Sequence, residues 1–529
     1  MAEARPSRRD GAVPHWGLLV LLLAWELVGR MRWVGDGALP APTEVLAQAW
    51  LDRADYPAHL WGTVRTSFAG FVIGNLAAVS LGALFVLWRP SLRLMAGVNV
   101  ALFAMPAIAL VPILVIALDG DAPRVVLAAI SVYYPTMVAS VLGLTRVDDR
   151  LCDLVRVYGG GRWSILWRVR LRSGLPTLLA GLRVAAPAAV LGSLLAEFGS
   201  GGSAGLGTYL IGSLGRADPA RLWGIGLAAT AISGLAYFIV GWVGRRFAGN
   251  TLGPSTPVGT QAGAVARGGG LSSVALALGA AAMPFAFWWG CVLLLESMGV
   301  SEIVLRSPLG VFEYLLLSDG SAEHLARLGQ ALAQTLPYTV AGMMAGLAVA
   351  FALAILGVVW PGLARTLLPV SLVSQSMPLV ALTPLVVLVA GRGDASILVV
   401  TVSVTFFPAF VTIAQGLALV PGTVRDLVRA YGGGQWQVLR RVAVPWSVPY
   451  LFAAARLAAP RAFLGVMIAE WLATGTGVGN LLNESRGQMD FGMIWSVAVA
   501  AIAIAVGLNA LVALLERGVL GRLAMTAPD

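Results

Sequence analysis

Asp153-Leu154-Val155-Arg156-Val157-Tyr158-Gly159-Gly160-Gly161-Arg162-Trp163 returns as Asp426-Leu427-Val428-Arg429-Ala430-Tyr431-Gly432-Gly433-Gly434-Gln435-Trp436. Outward from this pair the register holds at an offset of 272 or 273. Met105-Pro106 answers Met377-Pro378, Pro112 answers Pro384, and Pro135 answers Pro408. Pro176, Arg183, Pro187 and Ala196-Glu197 answer Pro449, Arg456, Pro460 and Ala469-Glu470. Gly205, Gly207 and Trp223 answer Gly477, Gly479 and Trp495. The chain is therefore a duplication, and whatever one half builds is built twice. Residues 247–271, rich in Gly, Ser, Pro and Ala, have the composition of a flexible linker. This divides the chain into a first domain at 1–246 and a second at 272–529.

Composition says what kind of halves these are. Of 529 residues, 58% are apolar and 12% charged, where a soluble domain carries about 25% charged residues. Apolar stretches of the length that crosses about 30 Å of hydrocarbon recur throughout. They fall near 16–30, 66–88, 96–118, 123–145, 176–197 and 223–244, then near 273–296, 338–360, 367–391, 395–419, 447–470 and 493–515. They lack the apolar–polar alternation of membrane-barrel strands. The expectation is an all-α polytopic membrane protein with about 12 transmembrane helices, arranged as two six-helix repeats.

Arginine placement orients the spans. Arg5, Arg8 and Arg9, then Arg89 and Arg93, the seven arginines from Arg146 to Arg172, and Arg245 with Arg246 all fall on one side. The positive-inside bias makes that side cytoplasmic. An even number of spans per half starts the second repeat on the same side, so the repeats are parallel and both termini are cytoplasmic. The apolar run at Trp16–Val28 ends without a small-residue cleavage site, which predicts a retained first helix rather than a signal peptide.

The basic residues are all arginine. A phosphate-gripping P-loop requires a Lys, so if ATP drives this protein, the ATPase is another polypeptide. The formal charge of +10 is explained by topology, without nucleic acid. Cys152 and Cys291 fall at different depths, and His15, His59 and His324 are scattered, so neither a disulfide nor a metal site is expected. No catalytic cluster is present in the pattern.

The loop that holds the opening motif is more specified than a joint needs to be. Leu154, Val155 and Tyr158 place apolar groups at helical spacing after Asp153. Gly159–Gly161 ends that helix and lets the backbone approach another surface. Trp163, Leu166 and Val169 begin a second helical piece, and Pro176 marks the return to the membrane. The motif has survived duplication better than the spans around it, as a docking element would. The candidate contacts are Asp153, Arg156, Tyr158, Gly159, Gly160, Gly161 and Trp163, with Asp426, Arg429, Tyr431, Gly432, Gly433, Gly434 and Trp436 in the second copy.

These segments resemble the EAA motif of binding-protein-dependent ABC importer permeases: an acidic residue, two small residues, then a Gly. Here Asp153 and Asp426 hold the acidic place, Gly159 and Gly432 the Gly, and Pro176 and Pro449 match the downstream Pro. Leu154-Val155 and Leu427-Val428 replace the two small residues. Leu39-Pro40-Ala41-Pro42-Thr43-Glu44-Val45, Met105 through Pro112, and Gly181-Leu182-Arg183 with Ala196-Glu197 are similar to the nitrate/sulfonate/taurine-type branch. The resemblance implies a type I importer fold in a bacterial inner membrane. It also implies two ATPase subunits docked at the two motif loops, which hold ATP and Mg, and an external solute-binding protein. The solutes implied are small: nitrate, a sulfonate, taurine or a pyrimidine precursor.

Ionisable groups at membrane depth are costly and mark function by default. Arg183 and Arg456 near the inner end of the fifth span, Glu197 and Glu470 at its outer end, and the mid-span Pro187 and Pro460 are the pathway or gate candidates. The plain alternatives are snorkelling for the arginines and loop capping for the glutamates. Asn75, Gln375 and Ser376 are further lining candidates, set against interhelical hydrogen bonding. The competing functional class is an ion-coupled secondary transporter with duplicated halves. It would need Glu26 and Glu296 as a relay and leaves the duplicated loop without a purpose.

Overall fold

The computed structural model describes residues 15–200, 202, 204–216, 218–248, 271–360, 362 and 378–523. Nearly all of the expected linker lies outside them, as do Gln375, Ser376 and the start of the span expected at 367–391. Every regular element among the described residues is helical. The first half contains α1 (His15–Arg30), α2 (Pro42–Leu51), α3 (Tyr56–Leu87), α4 (Arg89–Leu94), α5 (Ala96–Ala104) and α6 (Ala107–Ala117). It continues through α7 (Ala122–Thr145), α8 (Asp149–Val157), α9 (Arg162–Ile165), α10 (Leu171–Ser200), α11 (Leu206–Leu214) and α12 (Pro219–Ala248). The second half contains α13 (Leu271–Ser297), α14 (Pro308–Leu316), α15 (Ser321–Val359), α16 (Leu379–Ala390) and α17 (Asp394–Ala418). It ends with α18 (Gly422–Ala430), α19 (Gln435–Val438), α20 (Val444–Ala469), α21 (Gly477–Gly487) and α22 (Phe491–Arg522).

Nine helices among the described residues are long and apolar enough to cross a membrane. The other three expected spans appear as α1, as the bent pair α5–α6, and as the short α16. The chain is a multi-pass membrane protein. Its third span is not the continuous helix expected at 96–118: α5 and α6 meet at 95°. The break follows from Pro106, which has no N–H to give and drives the residue before it out of the helical region. Met105 is extended at φ −67°, ψ 120°. Pro106 and its counterpart Pro378 are themselves extended and precede α6 and α16.

Pro176, by contrast, does not interrupt its helix. From Arg162 to Ser200 the chain is one helical run, passing through a wide π-type turn at Leu166–Arg170 and on through Pro176 and Pro187. The second half repeats this, with the wide turn at Leu439–Ala443 and Pro449 and Pro460 inside α20. A proline removes one hydrogen bond, but packing on several sides can hold a helix through it. The docking piece and the fifth span thus form one continuous rod.

Within each half, close helix contact depends on small residues. A Cβ on Gly70 or Gly74 would lie 2.4 Å from α7, and one on Gly342 or Gly346 would lie 2.4 or 1.9 Å from Thr401 or Thr405 of α17. The halves meet unevenly. Away from the docking loops one core spans both, with Ile108, Leu127, Leu194 and Leu195 packed in the same cluster as Val380, Val400, Phe463 and Val466. Arg486 of α21 also donates across this seam to the Gly199 carbonyl at 2.7 Å. Toward the docking loops the cores separate: Phe85, Tyr133 and Met137 serve the first half, Ala350, Phe410 and Ala454 the second.

Candidate functional site

The candidate docking segments are built by local rules. Asp148 caps α8 by accepting from the Arg150 amide at 2.9 Å. At the other end, Gly159 N–H donates to the Arg156 carbonyl and Gly160 N–H to the Val155 carbonyl, both at 2.9 Å. This is a Schellman C-cap. The second copy repeats it through Gly432 to Arg429 and Gly433 to Val428, again at 2.9 Å. Gly159 and Gly432 both sit at φ +78°, where a side chain is strained. A Cβ on Gly160 or Gly433 would strike Val155 or Val428 at 2.4 and 2.5 Å. Gly161 and Gly434 meet neither constraint: each has open space and an ordinary φ.

Cys152, Ile165 and Val169 bury the inner face of the first segment against Val147 and Val155. The opposite face is bare. Val157 is 82% exposed, Tyr158 84% and Trp163 66%, and Tyr431 and Trp436 match at 87% and 66%. Large apolar groups clustered on a surface mark an interaction site. Asp153–Arg156 and Asp426–Arg429 form exposed pairs along the same helices. In the first half Arg89, Arg156, Arg162 and Arg170 line a depression of about 400 Å³ beside the segment. Of these the second half keeps only Arg429, since Arg89, Arg162 and Arg170 become Pro361, Gln435 and Ala443.

The glutamates at the far end of the fifth spans are clamps. Glu197 is fully buried. Its Oε1 accepts from Thr63 at 2.8 Å and its Oε2 from the Gly207 amide at 2.7 Å, while Thr63 Oγ1 accepts from the Leu206 amide at 2.9 Å. Glu470 repeats this with Thr335 at 2.7 Å and the Gly479 amide at 2.9 Å, and Thr335 accepts from the Val478 amide at 2.9 Å. Each carboxylate and its threonine thus cap the first amides of a short helix, α11 or α21, the end of a helix that favours negative charge. A Cβ on Gly205 or Gly477 would fall 2.5 or 2.0 Å from the carboxylate, which explains the Gly at both places.

Near the docking end the halves differ. Arg183 lies over the Tyr237 ring at 4.1 Å, whereas Arg456 pairs with Glu516 at 3.2 Å. Asn75 accepts from Thr136 on α7, which is the interhelical bond. Glu26 is tied to Arg30 and Thr43 at the end of α1. The sequence reading passed over Thr63 and Thr335, although they obey the 272 offset. It also missed the buried, two-pronged Arg221–Asp52 pair at 2.6–2.7 Å, in which the guanidinium holds Asp52 below the usual carboxylate range.

Residues 70–250 and 362–523 each match the family described as binding-protein-dependent transport system inner membrane component. The chain belongs to that family. Among the permeases it resembles, the riboflavin transport system permease protein RibX of Chloroflexus aurantiacus is 35% identical over 156 residues, which cover 29% of this chain and 58% of that protein. A probable ABC transporter permease of Haemophilus influenzae is 27% identical over 229 residues, covering 43% of this chain and 93% of that protein. The formylaminopyrimidine transport permease protein ThiX of Halalkalibacterium halodurans is 33% identical over 159 residues, covering 29% and 64%. This member of the permease family carries its matching domain twice in one polypeptide.

Proposed function

We propose that this permease forms, by itself, the translocating unit of an ATP-driven importer in an inner membrane, with the docking loops and both termini facing the cytoplasm. The observation that carries the reading is the pair of Schellman-capped segments at one end of the molecule, each presenting a bare apolar face. Two ATPase subunits, holding ATP and Mg, dock there, one per segment. An external solute-binding protein meets the opposite end. Because the helix that starts beyond each glycine turn, at Arg162 or Gln435, runs without a break into a fifth span, closure of the ATPases turns the two rods, and the cleft between the halves changes the side to which it opens. The chain performs no chemistry of its own. The relatives named for riboflavin and formylaminopyrimidine support a small organic solute, and the related branches carry sulfonates and taurine. Domains divided at a cytoplasmic linker near 247–271 fit this plan.

The test is to express the chain with its neighbouring genes and purify it in detergent. One chain should co-purify with two ATPase copies, and Gly159→Asp combined with Gly432→Asp should abolish that association while the protein remains monodisperse. A chain that purifies alone and moves solute down an ion gradient in liposomes would overturn the reading in favour of secondary transport.

A further inference from the structure

Along α20 from Ala453 to Ala469, the only residues not buried are Arg456, Leu457, Arg461 and Leu464. Leu464 packs against the core that both halves share, as does Leu191 at the equivalent place on α10. Arg461 lies three residues, about one turn or 4.5 Å, nearer the docking end on the same broad face. Arg461 therefore sits at the edge of the shared core, where the two halves begin to keep separate cores.

Several other arginines near or within the membrane helices have polar partners, while Arg183, with neither hydrogen bond nor ion pair among the described residues, lies over the Tyr237 ring. Arg456 has Glu516, Arg486 has the Gly199 carbonyl, and Arg124 has Asp121 and the Ala204 carbonyl. Arg461 has neither a hydrogen bond nor an ion pair among the described residues. A guanidinium brings five donors and a permanent charge, and at membrane depth that is costly without acceptors. The fold does not demand it, because α10 makes the same helix with Ala188 at the equivalent position. A costly, unpartnered cation present in one repeat and absent from the other points to a ligand.

We propose that Arg461 is the anion-recognition point of the cleft, so that the solute carried presents a carboxylate, sulfonate or phosphate group there. This rests on the transport reading for the purpose of the cleft. Its test, however, needs neither the ATPase nor the solute, so the two can fail separately. In a chain carrying Cys152→Ser, Cys291→Ser and Leu457→Cys, the new thiol lies one turn from Arg461. It is reacted with 2-sulfonatoethyl methanethiosulfonate and with its trimethylammonioethyl counterpart, each rate normalised to a cysteine on the open surface. The anionic reagent should lead by about tenfold. The lead should vanish with Arg461→Gln, persist with Arg461→Lys and shrink as salt is raised. A bias unchanged by Arg461→Gln, or no reaction with either reagent, overturns the proposal. Should Arg461→Gln fail to fold, the salt series on the Arg461 chain decides, and a bias indifferent to salt refutes it.

Discussion

At the scale of single residues, the three glycines of each docking segment are not equivalent. Gly159 occupies a left-handed conformation and Gly160 a space that its own helix fills, whereas Gly161 satisfies no internal need. Gly159→Ala should therefore cost about 1 kcal/mol of local stability and weaken ATPase association. Gly161→Ala should leave the thermal midpoint unchanged. If Gly161→Ala nevertheless impairs association, its hydrogen faces the partner. Matched thermal unfolding and pull-down experiments on the two variants read both quantities, and equal loss of stability in both would contradict the C-cap assignment.

At the scale of elements, the short helices α11 and α21 depend on carboxylates that belong to the preceding spans. Glu197→Ala leaves the Gly207 amide and the Thr63 hydroxyl without their acceptor, a loss of about 3 kcal/mol for charged bonds of this kind. Hydrogen exchange at Gly207 should accelerate by about a hundredfold, while the docking segment exchanges as before. Unchanged protection at Gly207 would show that α11 is held by its apolar contacts alone. This arrangement also shows what the sequence could reveal. The helices and the repeat were legible because they are written in local periodicity and in near-identity between copies. The Glu–Thr clamp joins residues more than 130 positions apart, so Glu197 stood out as a buried charge but its partner did not. Pro106 and Pro176 were harder. Both are prolines in apolar runs, yet one breaks its helix and the other is carried through, because neighbouring helices rather than the proline decide whether the run survives. The bare faces of Tyr158 and Tyr431 gave no local sign of their exposure.

At the scale of the whole molecule, the halves share one core at one end and keep separate cores at the other, so few contacts should govern which end opens. Arg486 provides one of them, a charge-assisted bond to Gly199 across the halves. Val380, 1% exposed in the shared core, supplies a reporter. With Val380→Cys in the chain, a membrane-impermeant maleimide added from the side opposite the docking loops should react slowly. Arg486→Ala should quicken that reaction by about tenfold, matching the loss of one such bond. An unchanged rate would place control of the seam in its apolar core.

Joining the two halves in one gene has a consequence that the unpaired Arg461 on α20 brings out. In a carrier assembled from two identical chains, any substitution beside the symmetry axis is made twice, and an arginine there would confront its own image in a poorly screened space. A tandem gene escapes that constraint, because one copy can mutate while its sister stays alanine. Selection can then adjust the charge of the passage in steps of one instead of two, and explore asymmetric passages that no pair of identical subunits can reach.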